Sequence, residues 1–315
     1  MEQLLFSLNA TVPIFLVMVI GYFLRRIKML DEPFIKTLNT FNFKVTLPFL
    51  VFKDIAESDF YAVWDTKYVC FCFFVTLFCI ITVWAFAHLF MKDKNILGEF
   101  VQGSYRGSAA VMGLAFIQNI YGNSGMAPLM IIGTVPLYNV AAVFILSLTG
   151  PDAKGLTKAS LKKTVIDALK NPIIIGIFLG MAASLLRIPF PMMITKTISN
   201  IGQLASPLAL IALGAGFEGK KAIKQLGPTA IGACIKLVIP AAIFLPLAIH
   251  MGFRNEMLVA LLVMLGAPTT PSSYVMAKNM GHEGILTSSL VVATTFLSSI
   301  TLTAFLFIFK TLGYI

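Results

Sequence analysis

Apolar residues fall along this chain in ten long runs, at 4–24, 34–53, 68–91, 99–121, 126–148, 171–187, 194–217, 226–250, 255–278 and 284–310. Each run comes close to the ~20 residues with which an α-helix crosses the hydrocarbon core of a bilayer. The breaks between runs are short and leave no room for an inserted soluble domain. The pattern predicts an all-α integral membrane protein with ten transmembrane helices. One run is interrupted: span nine reads LGAPTTPSSYVMAKNMG at 265–281, with Pro268 and Pro271 inside it and four hydroxyl residues, Thr269, Thr270, Ser272 and Ser273, around them.

Composition agrees with a bilayer. Of 315 residues, 58% are hydrophobic and 12% charged, against about one quarter charged in an average soluble domain. Mean hydropathy is +0.88. The net charge of +10 would suit nucleic acid if it were clustered on a soluble face. Here the cations sit in short loops, as the positive-inside rule requires. Arg25, Arg26 and Lys28, then Lys92 and Lys94, then Lys154, Lys158, Lys162 and Lys163, then Lys220, Lys221 and Lys224 fall on one side. The opposite side carries Asp54, Glu57, Asp59 and Asp65. The basic side is expected to be cytoplasmic and both termini outside, in a multi-pass protein of the cell membrane.

The N-terminus has no basic segment before its first apolar run, so that run reads as a retained span and not as a cleaved signal. Cys70, Cys72, Cys79 and Cys234 lie inside apolar runs without metal-ligand spacing and read as small apolar residues. His88, His250 and His282 lie near run ends, outside any HExxH or triad context.

A repeat is present at an offset of 159 residues. Pro13-Ile14 falls on Pro172-Ile173, Gly21 on Gly180, Lys28 on Arg187 and Pro48 on Pro207; VTLPFL at 45–50 lies over LASPLA at 204–209. The expected halves are 1–150 and 165–315, joined by a cytoplasmic linker at 149–165. Each half holds five spans, an odd number, so the second enters the membrane with opposite orientation. Inverted repeats of this kind are a signature of alternating-access transporters.

Spans four and nine are equivalent members of the two halves. A proline inside a helix removes a donor and clashes with the preceding turn, at about 3 kcal/mol or more. In hydrocarbon the freed groups cost several kcal/mol each, so the break belongs where protein or a wet cavity surrounds it. A simple proline kink is the plainer reading, and the repeat weighs against it. Thr270-Pro271 reads as an N-cap followed by the first helical residue, and a half-helix starting there would aim its positive end at mid-membrane and attract an anion. Span four, SYRGSAAVMGLAFIQN at 104–119, offers small residues, Gly107, Ser108, Ala109, Ala110 and Gly113, but no proline; a packing face explains it equally well.

Ionisable residues inside a membrane are candidates for function. The 14 acidic residues fall in loops or at span ends, whereas Lys44 and Lys236 fall inside spans. Lys44 stands four residues before Pro48, and Gln203 stands four before Pro207, so each pair would share a helix face and line the cavity. Snorkelling, or a bond to a freed carbonyl, is the competing explanation for the lysines. Lys36 and Arg106, near cytoplasmic ends, read as snorkelling residues. Asn42, Asn119, Asn139 and Ser206 are further polar groups within apolar runs. A sodium/proton antiporter would carry mid-membrane carboxylates to bind cations. Buried cations and half-helix N-termini instead favour an anionic substrate.

The chain resembles the auxin efflux carrier family, which includes bacterial malate and malonate permease-like members. The likeness covers essentially the whole chain and rests on VTLPFLVF, RGSAAVMGLAF, PLYNVAAV, KNPIIIGIFLG, ASPLALIALG, KLVIPA and GAPTTPSSYVMA. It implies two inverted five-helix halves similar to sodium/proton antiporter and bile-acid symporter folds, crossing broken helices at spans four and nine, elevator-like movement and organic-anion transport. Where the family has an asparagine and a GxP break in span four, this chain has Ser108 and Gly113-Leu114-Ala115. Asn139 matches the family's span-five asparagine, and Pro268 and Pro271 match its span-nine break.

The expected function is secondary transport of a small organic anion such as malate, malonate or an auxin-like acid. Ser108, Gly113, Asn139, Pro268, Thr269, Thr270, Pro271, Ser272, Lys44, Gln203 and Lys236 are the candidate substrate site. A gated anion channel and a sodium-coupled symporter of the same fold are the alternatives. A channel would show polar stripes along whole spans. An intramembrane enzyme would need a catalytic constellation, and none appears; nor does a nucleotide-binding loop. The expected partners are the anion and the lipid bilayer, with a homodimer as a candidate assembly and no nucleic acid or cofactor. Without a membrane carboxylate, membrane potential alone is the expected driving force.

Overall fold

The computed structural model describes residues 2–57, 64–109, 117, 120–121, 126–150, 165–166 and 168–315. Among these the chain is helical apart from turns, short connections and an isolated antiparallel bridge between Gly107 and Thr269. The helices are α1 (Glu2–Arg26), α2 (Glu32–Phe41), a π turn (Asn42–Thr46), α3 (Leu47–Ala56), α4 (Thr66–Phe90), α5 (Leu97–Tyr105), α6 (Ala127–Thr149) and α7 (Pro172–Leu185), followed by α8 (Met192–Gln203) and α9 (Ala205–Ala215). Then come α10 (Gly219–Lys224), α11 (Leu226–Leu237), α12 (Ile239–His250), α13 (Asn255–Gly266), α14 (Ser272–Asn279) and α15 (Ile285–Thr311). Five helical stretches among the described residues are long and apolar enough to cross a membrane: α4, α6, α8 with α9, α11 with α12, and α15.

Local chemistry places the ends. Asp31 and Asp65 cap α2 and α4 by accepting from the amides of Phe34 and Tyr68, satisfying donors that a helix start leaves orphaned. Asn171 does the same for α7 at the Ile173 amide, with Pro172 at the first position. Proline explains the interior irregularities. Pro48 lacks the amide that would reach Lys44, and the chain accommodates this with the π turn just ahead of α3. Pro207 lacks the one that would reach Gln203, and the helix breaks at Leu204 between α8 and α9. A buried carboxylate, Glu99, caps α15 from outside its own chain segment, accepting from the amides of Gly284 and Thr287 and from the Thr287 hydroxyl at 2.8–3.0 Å.

The buried apolar side chains form two principal clusters. One is built mainly from α4, α5, α6, α12, α13 and α15. The other joins α1, α3, α7 and α9 to the second half of α6 and to α14. Lipid-exposed helices have no hydrophobic drive to associate, so close backbone approach has to supply packing. On α7, Gly176 and Gly180 lie four apart against α3; a methyl group on them would meet the carbonyl oxygens of Pro48 at 2.7 Å and Phe52 at 2.9 Å. Gly180→Leu is therefore expected to force α7 off α3 and to lower the melting temperature of the detergent-solubilised protein by several degrees, with a broadened size-exclusion peak. An unchanged profile would show that this contact is not tight.

Two positions 159 residues apart have similar backbone geometry. Lys28 and Arg187 both have positive φ, 60° and 49°. Around Lys28, three amides close the helix end: Ile27 to Phe23, Lys28 to Arg25 and Met29 to Leu24. Around Arg187 the same three recur: Leu186 to Ala182, Arg187 to Ser184 and Ile188 to Ala183. Gly21 abuts the Ile211 carbonyl, and Gly180 abuts that of Phe52, so the offset exchanges the partners of the two contacts.

Candidate functional site

The site begins where two helices stop in mid-course. α5 ends at Tyr105, and Arg106 is extended at φ −82°, ψ 112°. α13 ends at Gly266, Ala267 is extended at φ −65°, ψ 149°, and α14 restarts at Ser272 after Pro271, which is already helical at φ −57°, ψ −27°. The two extended segments run antiparallel across each other, and the Ser108 amide donates to the Pro268 carbonyl at 2.9 Å.

Every broken helix in a membrane must find partners for its freed groups, and here the protein supplies them. Pro268 has no amide for Met264, and the Tyr138 hydroxyl donates to that carbonyl at 3.2 Å. The Leu265 carbonyl is taken by the Lys236 ammonium at 2.9 Å. The Thr269 amide donates to the Thr294 hydroxyl at 3.0 Å, and the Thr269 hydroxyl donates to the Gly103 carbonyl at 2.7 Å. Gln102 Nε2 reaches the Ser273 carbonyl at 3.0 Å.

A cavity of about 60 Å³ opens on this crossover. One wall is the α3 face Leu47, Leu50, Val51 and Asp54, with Ala205 and Ser206 of α9. The other carries Arg106, Ser108, Tyr138, Asn139, Thr270 and Ser272. The walls thus come from both sides of the boundary between the bundles. Arg106 is 4% exposed. It donates to Asn139 Oδ1 at 2.6 Å and to the Met276 sulfur. Both partners are neutral, and among the described residues no carboxylate lies within ion-pair distance of its guanidinium. A buried charge held by neutral groups alone is costly, and an anion arriving in the cavity would relieve that cost. The guanidinium fork suits a carboxylate's two oxygens, and the surrounding hydroxyls suit the remaining lone pairs.

The residues singled out from sequence divide into five groups. Ser108, Asn139, Thr270 and Ser272 line the cavity, together with Ser206. Pro268, Thr269 and Pro271 build the crossover itself. Lys236, 2% exposed, lies behind the crossover in a void of about 10 Å³ shared with Thr76, Ser104 and Tyr138; its bond to the freed Leu265 carbonyl is the structural role weighed above. Lys44 and Gln203 are exposed and stand outside the lining of this cavity. Gln203 bonds to Ser199 instead. Gly113 lies outside the described residues, as do Ala110, Leu114, Ala115, Asn119, Asp59 and the linker lysines. Asn42 is buried and donates to the Ala205 carbonyl at 2.9 Å, joining the π turn to α9.

Two charged cavity residues escaped the sequence reading. Arg106 is buried at the crossover and does not snorkel. Its signal was present: an arginine directly before Gly107-Ser108, in the run that the sequence reading pairs with the proline-broken one. Asp54 is in the last turn of α3 and faces the cavity, although hydropathy places it only at a span end.

A family model described as Membrane transport protein matches residues 6–306. The chain is 24% identical over 315 residues, covering 95% of itself and 94% of its relative, to a protein of Rhizobium meliloti (strain 1021) named "Putative malonate transporter".

Proposed function

The chain belongs to the membrane transport protein family, the auxin efflux carrier group that its motifs resemble, and from that premise we propose that it is a secondary carrier of small carboxylates. It is a multi-pass membrane transporter; the substrate class and the movement are the proposal. The observation that carries it is the Arg106 guanidinium, buried among neutral partners and lining a cavity rich in hydroxyls. The relative named for malonate transport points to the same substrate class.

The movement we propose is an elevator. The cavity lies between two apolar clusters, so sliding one bundle past the other would carry the crossover with its substrate. The matching helix ends at Lys28 and Arg187, and the exchanged glycine contacts, support two inverted halves at 1–150 and 165–315 within a ten-span architecture. The loop cations support a cytoplasmic basic side and outward termini in the cell membrane.

Counterflow in proteoliposomes tests the function. Vesicles loaded with malonate should take up labelled malonate, and external malate or other small carboxylates should compete while a neutral sugar should not. Uptake that is insensitive to every carboxylate, or that shows no dependence on internal substrate, would remove the carrier reading and favour a channel.

A further inference from the structure

An anion cavity that also holds a carboxylate poses a problem of charge. Leu47, Leu50, Val51 and Asp54 follow one another on a single face of α3 and all line the cavity whose other wall holds Arg106. A carboxylate substrate drawn in by the guanidinium therefore enters a space that already contains Asp54. Among the described residues, these are the titratable side chains on the elements around it. On α3 itself Lys53 lies 3.5 Å from Glu57. The π turn offers only Lys44, and α8 only Lys196, both exposed. α7 and α9 contain no titratable side chain, α6 offers the Tyr138 phenol, and Arg106, just past the end of α5, stands across the cavity. Asp59 and Tyr61 in the following segment lie outside the described residues.

We propose that Asp54 carries a proton together with the substrate, so that transport is proton-coupled. With Asp54 ionised, its charge opposes a second carboxylate in the cavity. With a proton on the Asp54 carboxyl, that opposition is gone and the hydroxyl becomes a donor to the substrate. When the substrate leaves on the other side of the membrane, the proton leaves with it, and the ionised side chain resets the cavity around Arg106. One proton moves per cycle and no other bond changes. This replaces membrane potential alone, the driving force expected when no carboxylate had been placed in the membrane.

The proposal rests on the carrier reading, and two measurements separate them. In proteoliposomes clamped at zero potential, wild-type protein should show malonate counterflow at equal pH. With the outside one pH unit more acid, it should accumulate malonate about tenfold. Asp54→Asn, which mimics the protonated side chain, should lose the tenfold accumulation and bring malonate only to equal concentrations, at whatever counterflow rate it retains. Wild-type counterflow without any response to the pH gradient overturns the proposal and leaves the carrier standing. So does accumulation by Asp54→Asn equal to wild type, or accumulation that follows a sodium gradient instead. Absence of counterflow in the wild type removes both.

Discussion

Arg106→Gln is expected to lower malonate transport by about 100-fold or more while leaving the protein folded, membrane-inserted and as heat-stable as the parent. The two halves of this expectation have different causes. Transport falls because the guanidinium is the cavity's cation, and removing one partner of a buried charge-assisted pair costs about 2–5 kcal/mol of binding. Stability holds because the arginine takes only neutral partners, Asn139 and Met276. A buried charge without an ion-pair partner contributes little to folding, and replacing it by a neutral group is often harmless or stabilising. The glutamine amide keeps a donor for Asn139. Counterflow and a melting curve on the same preparation check both halves. Arg106→Lys should recover little, since an ammonium lacks the planar fork.

Thr269→Val is expected to do the reverse in emphasis, lowering stability by about 1–3 kcal/mol and transport by about tenfold as a consequence. Valine keeps the shape of threonine, so packing is preserved. What is lost is the hydroxyl that donates to the Gly103 carbonyl at 2.7 Å in a fully enclosed place. That carbonyl is one of the groups freed where α5 stops, and hydrocarbon offers no water to take the vacancy. The crossover then loosens beside Ser108 and Thr270, which both line the cavity. A thermal shift measured with and without substrate distinguishes the two variants: Thr269→Val should melt earlier in both conditions, and Arg106→Gln should melt normally but gain nothing from malonate. A Thr269→Val protein with wild-type stability would mean that the bridge is not what holds the two extended segments together.

Several features could be read before any coordinates. The long apolar runs at α4, α6 and α15 announce themselves because length and apolarity alone decide whether a helix can span. The span-nine break was legible because Pro268 and Pro271 are written into it. Lys28 and Arg187, paired in the sequence at an offset of 159, both have positive φ. The break after α5 was harder to see. No proline causes it; the extended Arg106–Ser108 segment is held by Pro268 and Thr269 from a distant part of the chain, and such a tertiary cause leaves no local mark. Lys44 misled for a definable reason. Four residues before Pro48 is the same face only in a regular α-helix; the π turn at Asn42–Thr46 adds a residue to that turn, and Lys44 is exposed. Gln203 is turned out by the corresponding break at Leu204. Asp54 and Arg106 look like end-of-span charges by hydropathy, since a one-dimensional pattern cannot say which face of a helix meets a cavity.

The most direct test of the site is equilibrium binding of radiolabelled malonate to the purified protein, wild type beside Arg106→Gln, at matched melting temperature. Wild type should bind saturably at one site, displaced by small carboxylates and not by a neutral sugar, and Arg106→Gln should show no saturable binding at the same concentrations. Undiminished binding in Arg106→Gln would place the carboxylate elsewhere and contradict the assignment of the crossover cavity as the substrate site.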